Sequence, residues 1–275
     1  MAEWTTNEDG NPQISHEDGT FRIVPVPAYG KRIPPGFVVE ELNTRYRFAD
    51  PNWERNGTRH DSIAIAKNDV ASIFAHRKEL KGFNRQERSF GRGRGRSTPW
   101  GKADSCTTYA RGVQAYGTPS HGGFLLSKSA NDQVHPAWRN EKGAYEEDSE
   151  ANIVVITFPA LFTRREQEMA RRAAMNGDPH RFMAATGMDV PHEASRKLRE
   201  EAFLEIHKGC WMVVSASGRD DGMVAVTATV DGIREANAER RTFLVPADDY
   251  VMTEGHFAVD LTRHAELETE PTFKP

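Results

Sequence analysis

The sequence predicts an α+β protein, with antiparallel sheets and two or three helices packed on one side. Short apolar or alternating segments come in runs, such as 21–26 and 106–127, rather than alternating one by one with helices. A helical block follows within 163–208. Two further runs, 210–217 and 223–230, are joined by a GRDDG turn, which is typical of a β-hairpin.

The elements before residue 98 are short. Residues 1–20 lack periodicity, and we expect a disordered N-terminus. A small N-terminal α/β region follows at 21–80, with two short strands and a helix for which Asn68 is a suitable N-cap. Residues 81–97 are basic and rich in glycine, which favours a linker or mobile loop.

Residues 98–265 are predicted to form the main α+β domain, and 266–275 a loose C-terminal tail. Strands are expected in CTTYARGVQAYG and HGGFLLS, and the apolar run ANIVVITFP predicts a central strand. Thr163 and Glu166 have the spacing of a capping box, which opens a helix. A second helix is expected after Pro191, followed by the hairpin and by short strands in TFLVPADDY and HFAVDL.

Composition narrows the class of protein. The 275 residues suffice for a sizeable core, and the formal net charge of -4 argues against general coating of nucleic acid, although a local basic patch is compatible with it. Two cysteines, Cys106 and Cys210, make no disulfide framework and favour a reducing compartment. No signal peptide and no apolar run of about 18 residues is present. We therefore expect a soluble protein of the host-cell cytoplasm without a membrane partner.

The HGGF stretch is the first candidate for a functional site. Two glycines beside His121 let backbone amides and an imidazole approach a small ligand closely, and histidine is suited to proton transfer near neutral pH. The alternative is a tight turn in which His121 only hydrogen-bonds a carbonyl.

The acidic stretch YEED is the second candidate. Repulsion among three neighbouring carboxylates should raise the pKa of one of them, which suits a general base, and two carboxylates could hold a hard cation. The alternative is a solvated acidic loop or a helix start. A hairpin between the two stretches would turn His121 toward the acids. The catalytic candidates are His121, Glu146, Glu147 and Asp148, and the candidates for lining a pocket are Trp100, Tyr109, Gly122, Gly123 and Tyr145.

The third candidate is the basic segment around RGRGR. Arginines that alternate with glycines beside Trp100 suit phosphate contact with base stacking. The alternative is a solvated loop, or an arm that pairs with the YEED acids. The candidates for binding nucleic acid or a partner are Arg85, Arg88, Arg92, Arg94 and Arg96.

Several familiar catalytic motifs fail on spacing. Arg196 stands where the second histidine of HExxH would be, and neither GxxxxGK[ST] nor GxSxG occurs. GRGRGR neither follows a predicted strand nor opens a helix. We therefore assign no metal ligand, and the cofactor is left unknown.

Taken in order, STPWGKAD, YGTPSHGGFLLS and YEEDSEANIVVITFPALFT resemble an uncharacterised domain family of proteobacterial plasmid- and phage-borne proteins, with the pattern TPWG…HGGF…YEED…FPxLF. The resemblance covers Thr98 to Thr163. Ala144 and Ser149 stand where members often carry an aromatic residue and a cysteine, which argues against a thiol mechanism. The resemblance implies a mobile-element origin, in genomic company that often includes anti-restriction genes, and it implies no established activity.

Three functional hypotheses follow, and we place binding first. The chain would be a non-catalytic accessory protein of a phage or plasmid that binds a host or element macromolecule: a protein, or nucleic acid through the basic segment. The second hypothesis is a small hydrolase or transferase acting on a nucleotide or nucleic acid, with His121 as acid/base and Glu146 or Asp148 as metal ligand or second base. The third is a structural or virion-associated protein.

Overall fold

A computed structural model describes residues 3–28, 34–43 and 52–267, and within them the chain is α+β as expected. All the paired strands are antiparallel, and six α-helices accompany them rather than the two or three predicted. The chain divides into two compact units. The first comprises Met1–His135 and Arg139–Arg171, and the second comprises Pro136–Trp138 and Arg172–Pro275.

The first sheet of the first unit has its five strands in sequence order: β1 (Thr5–Thr6), β2 (Pro12–His16), β3 (Gly19–Val26), β4 (Gly36–Asn43) and β5 (Asn52–His60). Helix α1 (Ile63–Leu80) packs on it and shares a core with the sheet's buried Phe21, Ile23 and Val39. Ser62, not Asn68, is the N-cap of α1, because its side chain accepts from the Ile65 amide.

The described part of residues 1–20 is therefore not disordered. It contains β1 and β2, because Ile14 is buried in the core and pairs with Phe21 across the sheet. The apolar alternation here is too short to be distinguished from a loop in the sequence.

The second sheet has the order β12-β11-β10-β9-β6. Its strands are β6 (Gln86–Ser89), β9 (Ser105–Ala110), β10 (Val113–Gly117), β11 (Gly122–Leu126) and β12 (Ala144–Glu146), and a small hairpin is formed by β7 (Ser97–Thr98) and β8 (Gly101–Lys102). The strands predicted in CTTYARGVQAYG and HGGFLLS are confirmed.

The basic stretch at 81–97 is built into this sheet rather than linking two domains. Its strand β6 pairs with β9. The following loop is held by backbone hydrogen bonds from the Phe90 amide to the Asp104 carbonyl at 2.7 Å, and from the Gly95 amide to the Ala103 carbonyl at 2.8 Å. The charge and glycine content hid this strand, because all four of its residues are exposed and leave no apolar alternation.

Helices α2 (Lys128–Asn131), α3 (Ala151–Thr157) and α4 (Arg164–Gly177) follow. The central strand predicted in ANIVVITFP is wrong, since this run forms α3, which packs against β11 and β12. A short apolar run has no period that separates a buried strand from a buried helix. The capping box of α4 is confirmed: the Thr163 amide donates to Glu166 Oε2 at 2.7 Å, and the Glu166 amide donates to Thr163 Oγ1 at 3.3 Å.

The second unit contains a third sheet, in sequence order, and two helices. Their bounds are α5 (Pro179–Thr186), α6 (Arg196–Ile206), β13 (Trp211–Gly218), β14 (Met223–Val230), β15 (Arg241–Pro246) and β16 (Ala265–Leu267). The predicted β13–β14 hairpin is confirmed, with Gly218 opposite Val224 at its turn. Helix α6 begins later than expected, capped by Ser195. HFAVDL forms isolated bridges rather than the predicted strand: Ala258 pairs with Met212, and His256 pairs with Thr253.

No helix of the described ranges has the length and apolar character that crossing a bilayer requires. Residues 268–275 of the predicted tail lie outside the described part of the chain.

An ion pair joins the second sheet to the start of α4. The Arg85 guanidinium donates to both carboxylate oxygens of Glu166, at 2.8 and 2.7 Å, and also to the Leu161 carbonyl at 2.9 Å. It lies 4.5 Å from the centre of the Tyr109 ring and 5.5 Å from that of Phe162. Burial alone would raise the pKa of the Glu166 carboxyl, but the hydrogen bonds from Arg85 and Thr163 outweigh it and hold the pKa below its ordinary value.

We expect Glu166→Gln to lower the free energy of unfolding at pH 7 by about 3 kcal/mol, because it leaves the Arg85 guanidinium partly buried without a countercharge. A carboxyl whose folded pKa is lowered stabilises the fold above its ordinary pKa of 4.5, and this contribution is lost as the pH falls through the folded value. The gap between wild type and variant should therefore shrink below pH 4.5 in urea unfolding curves. Glu168→Gln, at an exposed position of the same helix, is the matched control, and a gap independent of pH would contradict the assignment.

Candidate functional site

The second sheet brings the HGGF and YEED stretches together. Strand β11 pairs with β12 so that Gly123 lies opposite Glu146 and Phe124 lies opposite Tyr145. Beyond the last pair, the Glu147 amide donates to the Gly122 carbonyl at 3.0 Å. The hairpin-like closure expected from the sequence is thus present, and it places His121 at the same end of the sheet as the acids.

Thr118 holds the turn that carries His121. Its hydroxyl donates to the His121 carbonyl at 2.6 Å and accepts from the His121 amide at 3.2 Å, while its own amide donates to the same carbonyl at 2.8 Å. These bonds use the backbone of His121 and leave its imidazole exposed. Thr118 was not among the predicted residues, although the TPSHG turn sequence was a usable signal because threonine readily forms such local bonds.

Three side chains converge at this end of the sheet. His121 Nδ1 lies 3.9 Å from Glu146 Oε1, and one ligand atom each from His121, Glu146 and Asp148 all lie within 4.8 Å of one another. Glu146 Oε2 accepts from the Asp148 amide at 3.0 Å and from Ser149 Oγ at 2.8 Å, which fixes its carboxylate. An imidazole beside two carboxylates can exchange protons with a bound molecule, or offer nitrogen and oxygen ligands to a divalent cation.

Solvent weakens the electrostatic coupling inside this cluster. The side chains of His121 and Glu146 are 59% and 25% exposed, so water screens their attraction. Glu147 and Asp148 are exposed as well. The cluster is therefore an open polar surface whose groups are accessible to a ligand from solution.

Close packing explains the two glycines of HGGF. A Cβ on Gly122 would lie 2.5 Å from Glu147 Oε2 and 2.7 Å from the Tyr116 carbonyl oxygen. A Cβ on Gly123 would lie 2.7 Å from the ring of Trp100 and would also collide with the Tyr145 carbonyl oxygen. The glycines thus let the Glu147 carboxylate and the half-buried Trp100 indole lie directly against the backbone of β11.

One row of residues crosses all five strands of this sheet. Arg88 lies opposite Cys106, Cys106 opposite Tyr116, Tyr116 opposite Gly123, and Gly123 opposite Glu146. Directly opposite residues share a face of the sheet. Four steps of about 4.8 Å separate the arginine end of the row from the acidic end, or about 19 Å in all.

The predicted arginines fall into two groups. Arg88, Arg92, Arg94 and Arg96 are exposed, and the guanidinium of Arg96 extends over the ring of Tyr116 at 5.8 Å from the ring centre. None of these four forms an ion pair with a carboxylate of the described residues. Arg85 is different, because its side chain is only 14% exposed and binds Glu166.

Tyr109 and Tyr145 are not brought to the cluster. Tyr109 packs against Phe124 and Phe162, with ring centres 5.3 and 4.9 Å apart, and its burial raises the pKa of its phenol. Tyr145 is fully buried, and its hydroxyl donates to Asn131 Oδ1 at 2.6 Å. Both lie on the opposite face of the sheet from Gly123, so of the predicted pocket residues only Trp100, Gly122 and Gly123 border the polar cluster.

The fold and site define an α+β protein with a histidine–carboxylate cluster at one end of an antiparallel sheet. Residues 93–208 match the model of DUF7007, a domain of unknown function. The matched range contains the TPWG, HGGF and YEED stretches and the FPALF turn. No curated protein and no solved structure matches the chain.

We expect Gly123→Ala to lower the free energy of unfolding by about 1–3 kcal/mol, because the Trp100 indole and the Tyr145 carbonyl leave no room for a methyl group. Gly177→Ala is the matched control, since nothing lies within 4 Å of the added carbon at this helical position. The measurement is chemical unfolding of both variants, and equal stabilities would contradict the close approach of the indole to β11.

Proposed function

We propose that the chain is a binding accessory protein of a phage or plasmid, acting in the host-cell cytoplasm, and that its ligand is nucleic acid. The mobile-element origin rests on the sequence resemblance described above. The reducing compartment is supported by Cys106 and Cys210, which are both free. The choice of ligand rests on the arginine surface, defined as Arg88, Arg92, Arg94 and Arg96.

The proposal is carried by the observation that no carboxylate of the described residues forms an ion pair with the arginine surface, although Asp104 Oδ1 accepts from the Gly93 amide within the same loop. Other arginines of the first unit form ion pairs with carboxylates: Arg77 pairs with Glu41 at 2.8 Å, and Arg165 pairs with Asp69 at 2.8 Å. The four arginines of the surface have no such partner among the described residues. Exposed guanidinium groups without carboxylates are suited to phosphate oxygens, which they bind with release of counterions.

The distance to the YEED acids supports the same choice. About 19 Å separates the two ends of the cross-strand row, which is more than twice the screening length of about 8 Å at physiological salt. The acids therefore leave the field of Arg88 largely unneutralised. For Arg88 this argues against the alternative that the basic segment pairs with the protein's own acidic cluster. Arg96, whose guanidinium lies over the Tyr116 ring, is closer, because Tyr116 is two strands or about 10 Å from Glu146.

The basic segment has a defined backbone structure, which favours a binding surface over a flexible linker. Strand β6 and the backbone bonds around Phe90 and Gly95 fix the positions from which the arginines extend. Because the backbone of this segment is fixed before a ligand arrives, less conformational entropy is lost on binding. Trp100 offers a half-exposed aromatic surface nearby for a base.

We expect Arg92→Gln/Arg94→Gln to weaken binding to a fluorescein-labelled 20-nucleotide single strand about 25-fold at 0.1 M salt. Two lost phosphate contacts should reduce the slope of log K against log salt by about 1.4. Fluorescence anisotropy over a salt series measures both quantities.

Arg171→Gln/Arg172→Gln is the control for that experiment, because it removes the same charge from two exposed arginines of α4. Its effect should be much smaller. Equal losses in the two double variants would exclude the arginine surface as the binding site, and no binding by the wild type would exclude single-stranded nucleic acid as the ligand. If the chain instead captures a stoichiometric host protein and no nucleic acid in a pull-down, the ligand is a protein partner.

A second candidate function is a hydrolase or transferase acting on a nucleotide or nucleic acid. The observation that favours it is the convergence of His121, Glu146 and Asp148 within 4.8 Å. In this role His121 would transfer the proton, and the two carboxylates would hold a cation or act as second base. The arginine surface would then hold the phosphates of the substrate.

For the second candidate we expect turnover of a nucleotide or oligonucleotide with Mg²⁺ or Mn²⁺, and a 10²–10⁴-fold loss of rate in His121→Ala and in Glu146→Gln, as is typical for removal of a placed acid or base. The controls are His192→Ala and Asp189→Asn, both at exposed positions outside the cluster. Rates are followed by chromatography of the products. Turnover that both His121→Ala and Glu146→Gln retain would remove the cluster from the chemistry.

A further inference from the structure

The FPALF turn (residues 158–162) has no role in the site described above, yet it lines a separate cleft. The cleft has a volume of about 410 Å³ and lies entirely within the first unit. Phe158, Pro159 and Leu161 of this turn line it together with Val113 and Ala130. A volume of this size is within the range of sites that bind small molecules.

The wall of the cleft is fixed from behind. The Phe162 side chain of the same turn is buried and packs against Tyr109 and Phe124. Arg85 donates to the Leu161 carbonyl, and Gln167 Nε2 donates at 2.9 Å to the carbonyls of Pro159 and Phe162. The turn is therefore held in place by its buried half, while its other half faces the cleft.

A single charged group borders this largely apolar lining. Arg111, at the turn between β9 and β10, is exposed, and its guanidinium forms no hydrogen bond or ion pair with the described residues. The other polar side chains of the lining are neutral: Thr157 Oγ1 donates to the Ile153 carbonyl at 2.7 Å, and Gln133 Nε2 donates to the Ser129 carbonyl at 3.2 Å. The cleft thus combines apolar walls with one cation that lacks an anion.

We propose that this cleft binds a small apolar carboxylate, such as a medium-chain fatty acid. The hydrocarbon body lies against Phe158, Leu161 and Val113, and the carboxylate accepts hydrogen bonds from the Arg111 guanidinium. A peptide is disfavoured because its backbone would need several polar partners, and the side chains of the lining offer only the Arg111 guanidinium and the remaining amide groups of the exposed Gln133. The lining contains no residue of the arginine surface or of the polar cluster. An experiment on this cleft therefore tests the carboxylate proposal separately from the proposed function.

The test uses octanoate as the probe and 1-octanol as its uncharged counterpart, with the full-length chain labelled for amide NMR. We expect octanoate to shift the amide resonances of Arg111, Ala130 and Ala160 with a dissociation constant of about 1 mM. Arg111→Gln should weaken octanoate about tenfold and leave 1-octanol unchanged, because it removes only the charge-assisted bonds. Ala160→Phe, at an exposed position of the wall, should weaken both.

Arg171→Gln carries the same change of charge at an exposed position outside the lining and should leave both affinities unchanged. The proposal is overturned if octanoate shifts none of the three amides, if it binds no better than 1-octanol, or if Arg111→Gln has no effect on octanoate. It is also overturned if a peptide with a free apolar C-terminus binds more than tenfold tighter than octanoate, since that result assigns the cleft to a protein partner.

Discussion

The bidentate pair between Arg85 and Glu166 is the interaction on which the first unit most depends. Arg85 immediately precedes β6, and Glu166 belongs to the first turn of α4, so the pair joins the edge of the sheet to the helix that follows the FPALF turn. The same guanidinium reaches the Leu161 carbonyl and lies over the ring of Tyr109. Glu166 also completes the capping box, so one carboxylate stabilises a helix end and a buried cation together.

A second constraint lies at the start of β11, where side chains pack directly against the backbone of two consecutive glycines. Gly122 and Gly123 admit the Glu147 carboxylate and the Trp100 indole, and this close approach keeps the polar cluster beside the TPWG hairpin. Because the imidazole and carboxylates of the cluster are exposed to water, any chemistry there requires a ligand or cation bound from solution.

Much of this arrangement could be predicted from the sequence where the signal is local. The capping box of Thr163 and Glu166 and the β13–β14 hairpin depend on residues close together in the chain, and both are confirmed. The pairing of HGGF with YEED also followed from sequence spacing. Predictions were wrong where tertiary contacts decide: the run at 151–157 has the composition of a strand, yet it forms a helix packed on β11 and β12. The placement of Arg85 in the interior was equally hidden, since its partner Glu166 lies 81 residues further along the chain.

The edge strand β6 determines where a stable fragment containing the matched domain has to begin. The match to DUF7007 begins at residue 93, but the sheet of that domain takes its outer strand from residues 86–89 and its buried cation from residue 85. A fragment cut at the start of the match would expose the hydrogen-bonding edge of β9 and leave Glu166 without Arg85. Open edges of this kind pair with other chains, so such a fragment would tend to aggregate. The folding unit that contains the matched sequence therefore begins upstream of the sequence match, ahead of Arg85.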